Sequence, residues 1–544
     1  YSKMNLILFT LLITLSFQKP GQPLAEQSHP TVTLPQGKIR GISSPWYDRT
    51  VNVYKGIPFS EPPTKSRRFF PPSAELGEGW PRWQGTRDGT TFAPDCTQSS
   101  PFTYSPAGIS EDCLYLNVFG ARNPTQNATL LPVAVFFYGG GWKYGATSFP
   151  IYDGTNVLYH GDLVQHMIIV TVSYRVGVFG WLGGSTVAAS DGSGGWGGNA
   201  GLGDQRAGLR WVQENIEYMG GDPSRVTVWG ESAGAGSISA HLVSPLSAGL
   251  FDQAIIESGP IASWVAQPLA YQETQFQFMA GQLNCTDVAC LQAVPADTLL
   301  HHVNARPPTQ PDRFTDFVPT IDGINLPAHP AALASRGHWN EPRPRLLLGS
   351  NLNEGTILLP TLHTGLNSSS PLPDFVTWLG HLFTPDQVTE IVQVQYPMAN
   401  YSSPWQATLQ LLTDYAMACP ARRTAAWLGE DVPSYLYLWT HEVDVAKLDP
   451  KLGVFHGSEL LFVFDTKTFD DVPLPLSPWE EELQNEMTQL WASFIITGAP
   501  ADASWHPFNA TVDTRYVLDE TRHPIVGYRT AQCDFWDRVE HQRF

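Results

Sequence analysis

The sequence predicts an α/β fold in which a large, mostly parallel central sheet is flanked by helices. Short apolar runs alternate with segments of helical periodicity along the chain, and this alternation is typical of a parallel sheet covered on both faces. Glycine-rich turns follow two of these runs directly, at Gly139 and Gly230. Because ligands bind outside the carboxyl ends of the strands in such sheets, we expect a functional site at these turns.

The length and the charge restrict the class of protein. The chain has 544 residues, with no internal repeat and no low-complexity linker, so we predict a single catalytic domain at residues 26–544. It carries 51 acidic and 32 basic residues, a net charge of −19. This balance argues against nucleic acid or an anionic membrane as a partner. The acidic residues are scattered, which favours a solvated surface over an acidic binding face.

The beginning of the chain has the pattern of a targeting segment. An apolar run extends from Met4 to about Phe17 and follows a single Lys3. It is shorter than the roughly 20 residues that span a bilayer. We therefore expect a secretory signal peptide at about residues 1–25, a secreted extracellular protein and no transmembrane anchor.

Cysteines and glycosylation sequons agree with secretion. The six cysteines are Cys96, Cys113, Cys285, Cys290, Cys419 and Cys533. If each cysteine forms a disulfide with its neighbour in the sequence, the pairs are Cys96–Cys113, Cys285–Cys290 and Cys419–Cys533. Other connectivities are open. The Asn-X-Ser/Thr sequons are at Asn127, Asn284, Asn367, Asn400 and Asn509. No Cys-x-x-Cys or His-x-x-x-His spacing occurs, so we predict no metal site.

The elements follow in chain order. A leading hairpin is predicted at residues 31–42. The apolar runs predict strands at 114–119, 132–138, 167–174, 226–229, 254–257, 345–349 and 434–439. Apolar residues three or four apart predict helices at 204–219 and 478–497. The glycine-rich segment 183–203 is predicted as a surface loop.

The strand at 226–229 leads into Gly230-Glu231-Ser232-Ala233-Gly234. Gly-x-Ser-x-Gly between a strand and a helix is the nucleophile elbow, which exposes the serine hydroxyl on a sharp turn. The Ala233 N–H would lie at a helix start, where backbone donors are unpaired. A chance match is the alternative in a chain with 47 glycines, but the flanking strand and helix favour the elbow.

A serine nucleophile needs a base and donors for the oxyanion that forms. The glycine turn, residues 139–141, offers backbone N–H groups without Cβ obstruction, although an ordinary tight turn would also use glycine. Glu354 follows the strand at 345–349, and a solvated loop acid is its alternative role. His456 follows Glu354, as the order serine, acid, histidine of the α/β-hydrolases requires. The other candidate bases are His381, His441 and His506.

Several longer segments resemble one known family, the type-B carboxylesterases, which include cholinesterases, carboxylesterases and several fungal lipases. The matching segments are 54–59, 111–118, 138–141, 173–177, 204–206, 220–223, 230–234, 353–355 and 456–460. These segments arrive in the family order, and the match as a whole covers most of the chain after the predicted signal peptide. The resemblance implies the α/β-hydrolase fold and a carboxylic ester hydrolase without a cofactor. It also implies the three disulfides that neighbour closure suggests.

The resemblance also implies roles for individual residues. Ser232 would be the nucleophile, His456 the base and then the acid, and Glu354 the residue that orients His456. The oxyanion donors would be the N–H groups of Gly140, Gly141 and Ala233. Glu231 and Ser258 match family positions beside and behind the triad. For Ser258, simple packing is an equally good interpretation.

The departures from the family concern the substrate. In cholinesterases the loop between the first two cysteines carries a Trp that binds the choline cation. Here that loop is short and contains Phe102 and Tyr104 but no Trp, so a choline ester is not expected. We predict a secreted serine esterase acting on a small-molecule or lipid ester. The alternatives are a lipase for long-chain acylglycerols or sterol esters and a catalytically inactive cholinesterase-like binding protein. The oligomeric state is not predicted.

Overall fold

The computed structural model describes residues 28–543 apart from 47–48, 100–104, 123–128, 191–194, 305–315, 363, 444–448, 450, 467, 470–471 and 474–475. The predicted signal peptide, Asn127, Phe102 and Tyr104 lie outside the described residues. In the part that is described, eleven strands form one central sheet. In chain order they are β1 (Ile42–Trp46), β2 (Arg49–Pro58), β3 (Tyr115–Phe119), β4 (Leu131–Phe137), β5 (Ile168–Val172), β6 (Gly221–Glu231), β7 (Gln253–Glu257), β8 (Arg345–Asn351), β9 (Ser434–Trp439), β10 (Thr514–Leu518) and β11 (His523–Val526).

The sheet is parallel at its centre and antiparallel at its ends. Its order is β11-β10-β9-β8-β7-β6-β4-β5-β3-β2-β1. The strands from β10 to β5 in this order pair in parallel, whereas β11 and β3 to β1 pair antiparallel. Every residue of β4 is buried, as expected of a strand covered on both faces. The predicted mostly parallel sheet is confirmed.

Helices cover the sheet. They are α1 (Gly154–Tyr159), α2 (Gly177–Trp181), α3 (Ser185–Ser190), α4 (Ala200–Asn215), α5 (Ala233–His241), α6 (Leu269–Gln282), α7 (Val288–Ala293), α8 (Ala296–Asn304), α9 (Pro330–Ala334), α10 (Gly355–Thr361), α11 (Leu372–Gly380), α12 (Pro385–Glu390), α13 (Pro404–Thr413), α14 (Cys419–Leu428), α15 (Leu460–Val463), α16 (Pro478–Thr497) and α17 (Thr530–His541). The helices α4, α5, α14 and α16 contact the central strands directly. The predicted helix at 478–497 coincides with α16.

The predicted loop at 183–203 is partly wrong. This segment contains α3 and the first turn of α4, which begins at Ala200 rather than at 204. Its glycines serve close packing: a Cβ at Gly201 would overlap the Trp181 ring, and one at Gly203 would lie 2.9 Å from the Trp196 ring. Glycine is a common loop signal, but here it lets large aromatic rings approach a helix.

The disulfides are Cys96–Cys113, Cys285–Cys290 and Cys419–Cys533, as predicted. The sequon residues Asn284, Asn367 and Asn400 are exposed, and Asn509 is half-buried. Among the described residues, the helices are all too short or too polar to cross a membrane.

Candidate active site

Ser232 lies between β6 and α5 on a strained turn. Its backbone has φ 54° and ψ −122°, a conformation that costs a non-glycine residue roughly 1–3 kcal/mol. The Ser232 N–H donates to the Glu257 carbonyl at 2.9 Å. A Cβ at Gly234 would overlap the Phe137 carbonyl oxygen, so the helix can approach β4 only because this residue is glycine. The elbow geometry expected from the sequence is present.

Ser232, His456 and Glu354 are connected by hydrogen bonds. The Ser232 Oγ lies 2.8 Å from His456 Nε2, and His456 Nδ1 lies 2.6 Å from Glu354 Oε2. Glu354 is fully buried. Its second oxygen, Oε1, accepts from Ser258 Oγ at 2.6 Å and from the Asn351 N–H at 2.7 Å. Donors on both oxygens fix the carboxylate so that it faces the imidazole.

Glu231 forms a second carboxylate contact with the imidazole. Its Oε1 lies 3.2 Å from His456 Nε2. Burial alone would lower the pKa of His456, but the charges of Glu231 and Glu354 outweigh burial and raise it to about 9. Burial raises the pKa of Glu231 to about 7 against the opposing effect of His456. The site therefore stabilises a charged imidazolium, the form that a histidine base reaches when it accepts a proton.

The glycine turn lies against the elbow. A Cβ at Gly139 would be 2.6 Å from Glu231 Oε2 and 3.0 Å from the Ser232 Cβ. Gly140 and Gly141 have φ of 95° and 62°, in a region that glycine adopts without strain. A Cβ at Gly141 would contact no atom within 4 Å, whereas one at Gly140 would overlap the Tyr144 carbonyl oxygen. The glycine turn therefore packs directly against Glu231 and Ser232 of the elbow.

The sequence pattern of the Carboxylesterase family matches residues 28–536. The chain belongs to this family. It is a carboxylic ester hydrolase with the α/β-hydrolase fold, as the resemblance implied. The chain is 34% identical to the acetylcholinesterase of Bungarus fasciatus over 93% of its length and 86% of that protein. It is 30% identical to the acetylcholinesterase of Danio rerio, over 98% and 91% of the two chains, and 29% identical to the cholinesterase of Mus musculus, over 98% and 90%.

Sequence reasoning missed three polar residues around the hydrogen-bonded group of Ser232, His456 and Glu354. Asn351 Nδ2 donates to Glu459 Oε2 at 2.5 Å, and this contact joins the segments that carry Glu354 and His456. Glu257 accepts from the indole N–H groups of Trp229 and Trp491 at 2.6 and 2.9 Å. Asn351 and Glu459 each lie three residues from a predicted triad member, which was an available signal. Glu257 directly precedes the candidate Ser258. Its contact with Trp491 had no signal in the sequence, because the two residues are 234 positions apart.

The carboxyl groups of Glu231, Glu257, Glu354 and Glu459 form a buried acidic cluster. Burial, together with the charge of Glu231, raises the pKa of Glu257 to about 8, although the two indole donors act in the opposite direction. Burial and the neighbouring carboxylates raise the pKa of Glu459 well above its usual value. A raised pKa favours the neutral carboxylic acid, so Glu257 and Glu459 place less negative charge around His456 than ionised glutamates would.

A cavity of about 400 Å³ lies beside the glycine turn. Its lining includes Trp142, Trp264, Leu362, Trp378, Phe383 and Tyr415. Trp142 directly follows Gly141, and the Trp264 ring lies over α5, where a Cβ at Gly236 would be 3.0 Å from it. Trp142 is thus the lining residue that adjoins the glycine turn, whereas Ser232 and His456 are not part of the lining. The walls are mostly apolar, which suits an apolar group of a substrate.

Proposed function

We propose that the chain is a secreted esterase in which Ser232 forms an acyl-enzyme. The observation that carries the proposal is the pair of hydrogen bonds from Ser232 to His456 and from His456 to Glu354, at 2.8 and 2.6 Å. In this mechanism His456 Nε2 takes the Ser232 hydroxyl proton while Oγ attacks the ester carbonyl carbon. Glu354 holds the imidazole and stabilises its positive form.

The tetrahedral intermediate needs donors for its oxyanion. The proposal assigns this role to the N–H groups of Gly140, Gly141 and Ala233. When the intermediate collapses, the C–O bond to the alcohol breaks and His456 returns its proton to the leaving alkoxide. Water then attacks the acyl carbon of the acyl-enzyme while His456 accepts the water proton. The C–Oγ bond breaks as His456 returns this proton to Ser232 Oγ, and the carboxylic acid leaves. Each step balances without a metal or an organic cofactor.

The experiment that tests this mechanism is covalent labelling by an organophosphonate. We expect one adduct on Ser232 in the folded protein, with loss of esterase activity in proportion to labelling. A Ser232→Ala variant should lose both the adduct and nearly all activity above background. If the folded protein carries no adduct, or if the alanine variant keeps its activity, the nucleophile assignment is wrong and the inactive binding protein becomes the better interpretation.

For the substrate we propose a soluble ester with an apolar acyl group. The mostly apolar cavity beside the turn supports this choice. The relatives are named as cholinesterases, but the loop between Cys96 and Cys113 contains no Trp for a choline cation. Hydrolysis of 4-nitrophenyl esters of increasing acyl length, compared with acylthiocholines, tests the proposal. Faster turnover of the acylthiocholines would contradict it, and a maximum at long chains with activation at an interface would favour the lipase.

Secretion is proposed on separate grounds. The six cysteines all form disulfides, a pattern of oxidising compartments. Three sequon residues are exposed to solvent. Expression in a secreting eukaryotic cell should place the protein in the medium with a mass that falls on enzymatic removal of N-glycans.

A further inference from the structure

Trp142 has a backbone conformation that is rare for a bulky residue. It follows Gly140 and Gly141 and continues their positive φ, with a value of 56°. Such a conformation is unfavourable for a bulky residue and persists only when its surroundings fix it. The Trp142 side chain is 1% exposed, and its ring lies between those of Trp181 and Trp264, with centroids 5.9 and 5.6 Å away.

The indole N–H of Trp142 has a specific partner on α5. Trp142 Nε1 donates to Ser237 Oγ at 2.9 Å. Ser237 in turn donates its hydroxyl proton to the Ala233 carbonyl oxygen, also at 2.9 Å. A continuous chain of two hydrogen bonds thus links the residue after the glycine turn to Ala233.

These two hydrogen bonds connect the two parts of the proposed oxyanion hole. Two of its donors belong to the glycine turn and the third belongs to Ala233 at the start of α5. The three must be held at fixed relative positions for catalysis, and the turn itself offers few side chains for the purpose. The Trp142 carbonyl accepts from the Gly177 N–H at 2.5 Å, which fixes the same residue from its other side.

We propose that Trp142, through Ser237, is a positioning residue that holds the donors of Gly140 and Gly141 in register with that of Ala233. This inference rests on the proposed function. The Trp142 ring also lines the cavity, so a role in positioning must be separated from a role as a wall. Ser237 distinguishes the two roles. It accepts the hydrogen bond from Trp142 that the positioning role requires, and it is not among the residues that line the cavity.

The test uses two variants that each break the same hydrogen bond. Trp142→Phe removes the N–H and keeps an aromatic ring, and Ser237→Ala removes the acceptor. We expect each to lower kcat for 4-nitrophenyl acetate and butyrate by the same factor, about tenfold, with KM nearly unchanged. Because both variants break the same link, which runs from Trp142 through Ser237 to Ala233, the double variant should be no slower than the slower single variant.

A matched control is Trp211→Phe. Trp211 is also fully buried, and its Nε1 donates to Gln36 Oε1 at 3.0 Å, away from the triad. The Trp211→Phe variant should keep the wild-type kcat. Binding of an aryl trifluoromethyl ketone, which forms an oxyanion adduct with the serine, should weaken in the two test variants by the same factor as kcat. Binding of the product acid should not change, because the acid develops no oxyanion.

Two results would overturn the proposal. In one, Ser237→Ala keeps the wild-type kcat and ketone affinity. In the other, Trp142→Phe changes the preference between acetate and butyrate while Ser237→Ala is silent, which would make Trp142 a cavity wall only. Either failure would leave organophosphonate labelling of Ser232 intact. A failure of the proposed function would instead abolish that labelling in the wild-type protein.

Discussion

The two sides of the site differ in how closely they are packed. The catalytic side, defined as the residues proposed for catalysis, consists of Ser232, Glu354, His456 and the glycine turn, where a Cβ at Gly139 would already lie 2.6 Å from Glu231. The cavity side, defined as Trp264, Leu362, Trp378, Phe383 and Tyr415, borders about 400 Å³ of space. Substitutions on the closely packed catalytic side should therefore remove activity, whereas those on the cavity side should change which ester is used.

The largest effect is expected for Glu354→Gln. The amide keeps the shape but loses the charge that holds His456 in the correct tautomer, so kcat should fall by roughly 10⁴-fold. Steady-state hydrolysis of 4-nitrophenyl acetate measures this loss of kcat. Glu217→Gln, at an exposed position, is the matched control and should be silent. A loss of less than tenfold would show that Glu354 is not the orienting acid.

A smaller but still large effect is expected for Gly140→Ala. The added Cβ would overlap the Tyr144 carbonyl oxygen and displace the turn, so kcat should fall by roughly 10²–10³-fold, as for the loss of one oxyanion donor. Gly249→Ala is the control, because Gly249 has a similar φ of 74° with no neighbour within 4 Å of the added atom. Equal losses in the two variants would indicate backbone strain rather than a displaced donor.

Glu231→Gln should shift the pH profile. The Glu231 carboxylate is 3.2 Å from His456 Nε2 and helps to raise the pKa of His456 to about 9. Removing this negative charge lowers that pKa, so more of the base is neutral at a given pH. The acidic limb of the kcat/KM profile should therefore move to lower pH, which a pH series on 4-nitrophenyl acetate measures. An unmoved limb would mean that Glu231 does not act on the base.

The smallest effect is expected on the cavity side, for Trp264→Leu. The smaller side chain enlarges the cavity, so the ratio of kcat/KM for long over short 4-nitrophenyl esters should rise by roughly threefold to tenfold. The kcat for the acetate should stay close to the wild-type value. A loss of kcat for esters of every length would place Trp264 with the catalytic side and remove the contrast between the two sides.

The sequence by itself determined the parallel sheet and the elements that carry the predicted triad. This was possible because a strand buried on both faces must be apolar along its length, as in β4, and because the elbow requires glycine at 230 and 234. The disulfide pairing was also predictable, since two of the pairs are close in the chain. Helix α4 was placed one turn late, because glycines that accommodate Trp181 and Trp196 cannot be told from loop glycines in one sequence.

Only the tertiary structure decided the surroundings of the predicted triad. The contact of Trp491 with Glu257, the position of Trp264 over α5 and the hydrogen bond from Trp142 to Ser237 join residues far apart in the chain. No local pattern encodes such pairs, because each side chain is compatible with an ordinary core position on its own. Their roles follow from which buried donor meets which acceptor, and this is set when the whole chain packs.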